Sequence, residues 1–223
     1  MTQIRRLAAI QAADVAGYSR LMGEDEEGTH ERLKAHLREL VDPKIAEHRG
    51  RTVKNTGDGF LAEFPSVVDA VRCAVEIQRG MAEREPQVRE ERRIRFRIGV
   101  NLGDVIVEEH DIFGDGVNVV ARLEALAEPG GIYVSRMVRD NVRDKLDYAL
   151  QDMGEQQVKN IARPLRVYRA DSTDRRKHDL CWPIGRHRRP APRRLTVTLD
   201  EFISIGDLAS LFSTMLVAQP GQA

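Results

Sequence analysis

Val53-Lys54-Asn55-Thr56-Gly57-Asp58-Gly59-Phe60 is the stretch on which the reading of this 223-residue chain turns. It joins two short β-prone runs, Arg51 to Thr56 and Phe60 to Phe64. Glycines on either side of an acid permit the positive φ of a tight turn, so the stretch predicts a hairpin with Asp58 at its tip. Alone, Asp58 needs no role beyond the turn, because aspartate is a common turn residue. A second acid changes the weighing. Asp14 follows Leu7 to Ala13, which is apolar except for Gln11 and reads as a strand buried at the centre of a sheet. Two carboxylates at the ends of neighbouring strands are the minimum needed to hold two divalent ions against a polyphosphate.

Outward from the hairpin, the periodicity supplies the other elements. After Asp14, the turn Val15-Ala16-Gly17-Tyr18-Ser19 leads into a helical region. Backbone amides beside such small residues are suited to phosphate oxygens. Leu33, Leu37, Leu40 and Val41 fall on one helical face, and Pro43 is expected to interrupt that helix. Ser66 caps a second helix, with Asp69 in its first turn and Val67, Val71, Ala74, Val75 and Met81 at helical spacing. Glu83 to Arg93 reads as a charged, solvated loop. Ile94, Phe96, Ile98 and Val100 alternate with Arg95, Arg97, Gly99 and Asn101, a period-two strand. Leu102-Gly103-Asp104 is expected to turn the chain into another strand, Val105 to Glu108, with a loop from Glu109 to Phe113. Asp115 is expected to cap a helix carrying Val117, Val120 and Leu123, which Pro129-Gly130-Gly131 ends. A strand from Ile132 to Ser135, a helix to about Arg143 and strands near Tyr148 to Met153 and Leu165 to Ala170 complete the order. The fold class is α+β, with a ferredoxin-like β-α-β-β-α-β core and additional strands and helices, an arrangement also found in polymerase palms. That architecture alone does not settle a reaction.

Three groups of residues together resemble the catalytic domain of class III nucleotidyl cyclases. They are Asp14-Val15-Ala16-Gly17-Tyr18-Ser19, then Lys54 to Gly59, then Asp111 to Asn118 with Arg122. The resemblance spans roughly Arg5 to Ala170, with the motifs in the family's order. It implies that Asp14 and Asp58, with a backbone carbonyl near Val15, bind two Mg²⁺ or Mn²⁺ ions; their oxygen-only chemistry suits either. It implies that Asn118 orients the ribose and Arg122 stabilises the pentavalent transition state, work suited to a fixed fork of donors. Their spacing of four puts both on one helical face. Lys54 and Asp111 match the positions that read the purine: a lysine can donate to adenine N1 and an aspartate can accept from its amino group. Lys159 aligns with a triphosphate-binding lysine, and Ala16, Gly17 and Tyr18 with the phosphate loop. The expected activity is adenylate cyclase, ATP to 3′,5′-cyclic AMP and pyrophosphate, at sites shared across a head-to-tail homodimer. The alternatives are a guanylate cyclase and a catalytically silent nucleotide-binding regulatory module of the same fold.

Composition agrees with a globular protein, at 41% hydrophobic and 31% charged residues. Arg5-Arg6 is followed by only a short apolar run, unlike a signal peptide. Cys73 and Cys181 lie far apart and read as reduced thiols. A cytoplasmic location without a membrane span or nucleic-acid partner is therefore expected. The net charge of zero hides an asymmetry: Arg175 to Arg194 carries eight Lys/Arg against one acid, Asp179. The expected organisation is a catalytic domain over residues 1–171, a basic flexible linker over 172–199 and a short tail over 200–223 that is either a docking helix, a remnant of a larger protein or disordered. Regulation is expected from the tail, cellular conditions or an unidentified partner.

Overall fold

Strand β1 (Ile4–Val15) is the spine of the sheet. In this computed structural model, which describes residues 4–108, 111–159, 161 and 163–174, it pairs along both edges. After it come α1 (Tyr18–Glu24), α2 (Glu26–His36), a π-helical turn at Leu37–Val41 and α3 (Asp42–Glu47). The hairpin follows as β2 (Arg51–Asn55) and β3 (Gly59–Phe64), then α4 (Val67–Glu83). The remaining elements are a 3-10 turn at Glu90–Arg92, β4 (Phe96–Val107), β5 (Ile112–Phe113), α5 (Asp115–Leu126), β6 (Ile132–Ser135), α6 (Arg136–Val142), β7 (Tyr148–Gln156) and β8 (Leu165–Asp174). The sheet order is β2-β3-β1-β4-β6-β8-β7, with β5 added beside β4. Among the described residues only β4 and β6 run parallel; the other pairs are antiparallel. This is the α+β architecture expected.

Alternation along β1 divides the interior. Ala9, Ala13 and Val15 join Phe60, Phe64, Val71, Val75 and Ile77 in the larger core, on the face covered by α4. Ala8, Ile10 and Ala12 join Leu61, Val105 and Val120 on the face covered by α5. The expected cap of α4 is present: Ser66 Oγ accepts from the Asp69 amide at 3.4 Å. Cys73 is buried in this helix, and burial pushes its thiol up to about 12, so it packs as an inert apolar group.

Several expectations are corrected. Leu102-Gly103-Asp104 is no turn, because β4 continues unbroken and those residues pair with Ala9, Ala8 and Leu7 of β1. A twelve-residue partner strand outweighs the local turn preference of one glycine. The loop expected at Glu109 to Phe113 ends in β5, whose Ile112 and Phe113 pair with Val107 and Ile106. Pro43 interrupts the regular helix, as expected, without ending it. Residues before it widen into a π turn, the Asp42 amide reaches the Leu37 carbonyl, and Pro43 sits in the first turn of α3, where no amide is needed. The cap of α5 is Gly114 at φ 125°, and Asp115 is its first helical residue.

Strand β8 runs to Asp174, past the domain boundary expected at 171. From residue 175 onward, the basic linker and the tail lie outside the described residues. Among the described residues no helix is long and apolar enough to cross a membrane.

Candidate active site

Two backbone features bring Asp14 and Asp58 together. The Val15 amide donates to the Asp58 carbonyl at 2.9 Å, tying the end of β1 to the hairpin tip. Gly59 pairs with Asp14 in the ladder, and a Cβ there would stand 1.8 Å from the Ala13 carbonyl oxygen. Only glycine allows that approach. The turn itself uses Gly57 at φ 93°, with the Thr56 amide on the Gly59 carbonyl. Asp58 is half-buried, and Thr56 Oγ1 donates to its Oδ1 at 3.3 Å. Burial raises its pKa above the ordinary value, and the negative charge of Asp14 adds to the effect.

Asp14 is buried, and its cross-strand neighbour is Arg97 of β4. The guanidinium grips the carboxylate in a fork: Nε donates to Oδ1 at 2.9 Å and Nη2 donates to Oδ2. A third acid stands behind them. Glu124 of α5 is buried, with its Oε1 3.6 Å from Arg97 Nη2. That is too long for a hydrogen bond, and Oε1 has no other hydrogen-bond partner among the described residues. Burial raises the Glu124 pKa well above the carboxylate range, helped by a hydrogen bond to Asp14 and by Asp14's charge. Helix α5 reaches this position because residue 99 is glycine: a Cβ there would lie 2.5 Å from the Val120 carbonyl and 2.6 Å from the Glu124 amide.

Sequence reasoning did not single out Arg97 or Glu124. The usable signal was the outer face of the 94–101 strand, Arg95, Arg97, Gly99 and Asn101, which is polar and small where a helix packs.

A second cluster involves the first strand of the hairpin. Lys54 Nζ on β2 donates to Asp111 Oδ2 at 2.7 Å. The turn into β5 presents Asp111, whose carbonyl accepts from the Glu108 amide and whose Oδ1 accepts from the Ile112 amide at 2.8 Å. The predicted pair is thus brought together, although the residues are 57 apart in sequence.

Asn118 and Arg122 stand one turn apart on α5, Asn118 exposed and Arg122 half-buried. Gly17, at φ 66°, starts α1, and Tyr18 packs partly against the larger core. The Ala16 amide donates to the Arg95 carbonyl at 2.9 Å and is therefore committed within the fold. Lys159 is exposed in the connection between β7 and β8.

A half-buried acid at a hairpin tip, a buried acid at the adjoining strand end and a Lys–Asp pair nearby on one α+β sheet define a nucleotidyl-cyclase type of catalytic domain. The chain belongs to the adenylate and guanylate cyclase catalytic domain family, whose match covers residues 5–171. It is 50% identical over 171 residues to a Rhizobium meliloti (strain 1021) protein named "Putative adenylate cyclase 3". That alignment takes in 77% of this chain but 29% of the relative, so the chain spans under a third of that protein's length. Among solved structures it is similar to an adenylate/guanylate cyclase/hydrolase from Silicibacter pomeroyi, at 51% identity and TM-score 0.68. That match covers 75% of this chain and 97% of the other. The adenylyl cyclase CyaB of P. aeruginosa shares the fold at TM-score 0.71 and 24% identity, over 78% of this chain and 98% of its own.

Proposed function

We propose that the chain is an adenylate cyclase that converts ATP to 3′,5′-cyclic AMP and pyrophosphate in a homodimer. The observation that carries this reading is the Lys54–Asp111 pair, since it offers a donor and an acceptor matched to the adenine edge. Guanine presents the reverse pattern at its six position and N1, which this pair does not complement.

The acid pair fits divalent metal. Asp14 already holds a cation, the Arg97 guanidinium, and all side-chain donors at the site are oxygens. Among the described residues no group of three or more His, Cys, Asp or Glu side chains is placed to hold a metal. Asp14 and Asp58 would therefore share the ions with the Val15 carbonyl and the substrate's own phosphate oxygens, as hard, incompletely caged cations commonly are. Mg²⁺ or Mn²⁺ held there would acidify the ribose 3′-hydroxyl and neutralise charge on the triphosphate.

The chain's own groups do the rest. Lys54 and Asp111 orient the purine, Asn118 the ribose, and Arg122 offers fixed donors to the oxygens on which charge builds. Lys159 and the Ala16-Gly17-Tyr18 loop, through groups other than the committed Ala16 amide, hold the phosphates. In a head-to-tail homodimer, Asp14 and Asp58 of one protomer work with Lys54, Asp111, Asn118, Arg122 and Lys159 of the other.

The test is the purified 223-residue chain assayed with ATP or GTP and with Mg²⁺ or Mn²⁺, identifying the product. Cyclic AMP formed in preference to cyclic GMP is expected. Folded protein that binds ATP yet yields no cyclic nucleotide would make the chain a silent regulatory module, and preferred use of GTP would make it a guanylate cyclase.

A further inference from the structure

We propose that Arg97 is a resident cation that stands in for divalent metal at Asp14, and that Glu124 is the positioning residue onto which it shifts when Asp14 turns to the metal. The inference rests on the metal-dependent reading above and concerns groups that reading does not use.

Both oxygens of the Asp14 carboxylate face the same guanidinium. A fork of this kind occupies the carboxylate edge that a cation would approach, so metal and Arg97 compete for it. One of the two side chains must give way. Asp14 is short, stands on the central strand and has a side chain only 3% exposed, so it has little freedom. Arg97 has a long side chain that is 28% exposed. The arginine is the mobile partner.

Its destination is limited by charge. An arginine released inside a partly buried site needs another carboxylate, because an unpaired buried charge is heavily penalised. Asp58 is the other proposed metal ligand. That leaves Glu124, whose Oε1 is buried, has no hydrogen-bond partner among the described residues and lies 3.6 Å from Arg97 Nη2. Closing that gap to hydrogen-bonding distance takes a movement of about 0.5–1 Å. The close approach of α5 at Gly99 keeps this carboxylate within reach. Glu124 thus completes a relay of one cation between two acids, and it touches neither nucleotide nor metal.

The test measures Mn²⁺ binding to the full chain by electron paramagnetic resonance, with and without a non-cyclisable ATP analogue. The proteins are wild type, Glu124→Gln, Arg97→Ala and the double variant, each checked for folding by circular dichroism. In the presence of Arg97, Glu124→Gln should weaken Mn²⁺ binding by about tenfold or more, the usual cost of losing a group that positions a metal ligand. In the Arg97→Ala background the same change should have little effect, because there is no guanidinium left to receive.

If the loss persists undiminished without Arg97, Glu124 acts on the metal directly and the proposal is overturned. It is overturned equally if Glu124→Gln has no effect while Arg97 is present. Should the glutamine variant not fold, Glu124→Asp retains the charge but shortens its reach, and must show the same dependence on Arg97. Wild-type protein that binds Mn²⁺ but forms no cyclic nucleotide refutes the cyclase reading while the coupling still decides this one. Wild-type protein that binds no Mn²⁺ under either condition refutes both.

Discussion

Exchanging Lys54 for glutamate and Asp111 for cysteine separates what the pair does for the fold from what it does for the substrate. The two side chains are 42% and 27% exposed, and an ion pair in such surroundings contributes at most about 1 kcal/mol. The double variant should therefore unfold at nearly the wild-type denaturant concentration. The effect on substrate is larger. A hydrogen bond to a charged group is worth about 1.5–3 kcal/mol, and under the proposed reading two would be removed from the adenine edge. The structure places the loss toward the lower end of that sum. Asp111 Oδ1 is already bound to the Ile112 amide, and Oδ2 is shared with Lys54, so binding the base exchanges contacts rather than adding new ones. A loss of about 3 kcal/mol corresponds to roughly a hundredfold in kcat/KM for ATP. Activity toward GTP should fall less or rise, since glutamate accepts where lysine donated. The assay is kcat/KM for both nucleotides beside a urea titration of each protein. An ATP-to-GTP preference within about threefold of wild type, less than 1 kcal/mol, in a variant of unchanged stability would remove both residues from base recognition.

Two further outcomes are expected. Gln11 is fully buried in β1 between Ala62 and Val100, and neither end of its amide has a hydrogen-bond partner among the described residues. Gln11→Leu should raise stability by about 1–3 kcal/mol, read as a higher urea midpoint at unchanged slope, and an equal or lower midpoint would show that the amide is satisfied. Asp58→Ala and Arg122→Ala should each be nearly inactive alone, yet a fully exchanged mixture should recover about a quarter of wild-type activity, because half the dimers keep one intact site. A mixture as inactive as its components would exclude sites shared between protomers.

Much of the architecture was legible because its signals are local. The Gly-Asp-Gly turn specified the hairpin, the apolar run into Asp14 specified the central strand, and Asn118 and Arg122 fell four apart on a helix that is present as α5. The misread segments are those where a distant partner decides. Leu102-Gly103-Asp104 has turn composition, yet it is strand because β1 lies alongside it. The interruption at Pro43 was legible, but the π turn that accommodates it was not. Asp14 and Arg97 are 83 residues apart, and no spacing rule joins them. Gly59 and Gly99 were legible as turn and strand residues, but their function is close approach, which exists only once two elements have packed.

The charge arithmetic of the site follows from that packing. Asp14, Asp58 and Glu124 are three acids near one arginine, and two of them are driven toward their protonated forms. Burial is the leading cause for both, and Asp14's negative charge adds to it. An ordinary core would relieve such a cluster by substitution, since excess buried negative charge opposes folding. Here the backbone enforces it: Gly59 draws the hairpin tip onto β1, and Gly99 draws α5 onto β4. Arg97 offsets most directly the charge of Asp14, standing 3.6 Å from Glu124 and acting on Asp58 only through its charge. A cluster with this balance gains most from added positive charge, and its donors are all oxygens, which favours hard divalent cations over soft ones. Divalent metal at Asp14 and Asp58, as proposed, would supply that charge where packing already crowds the acids together.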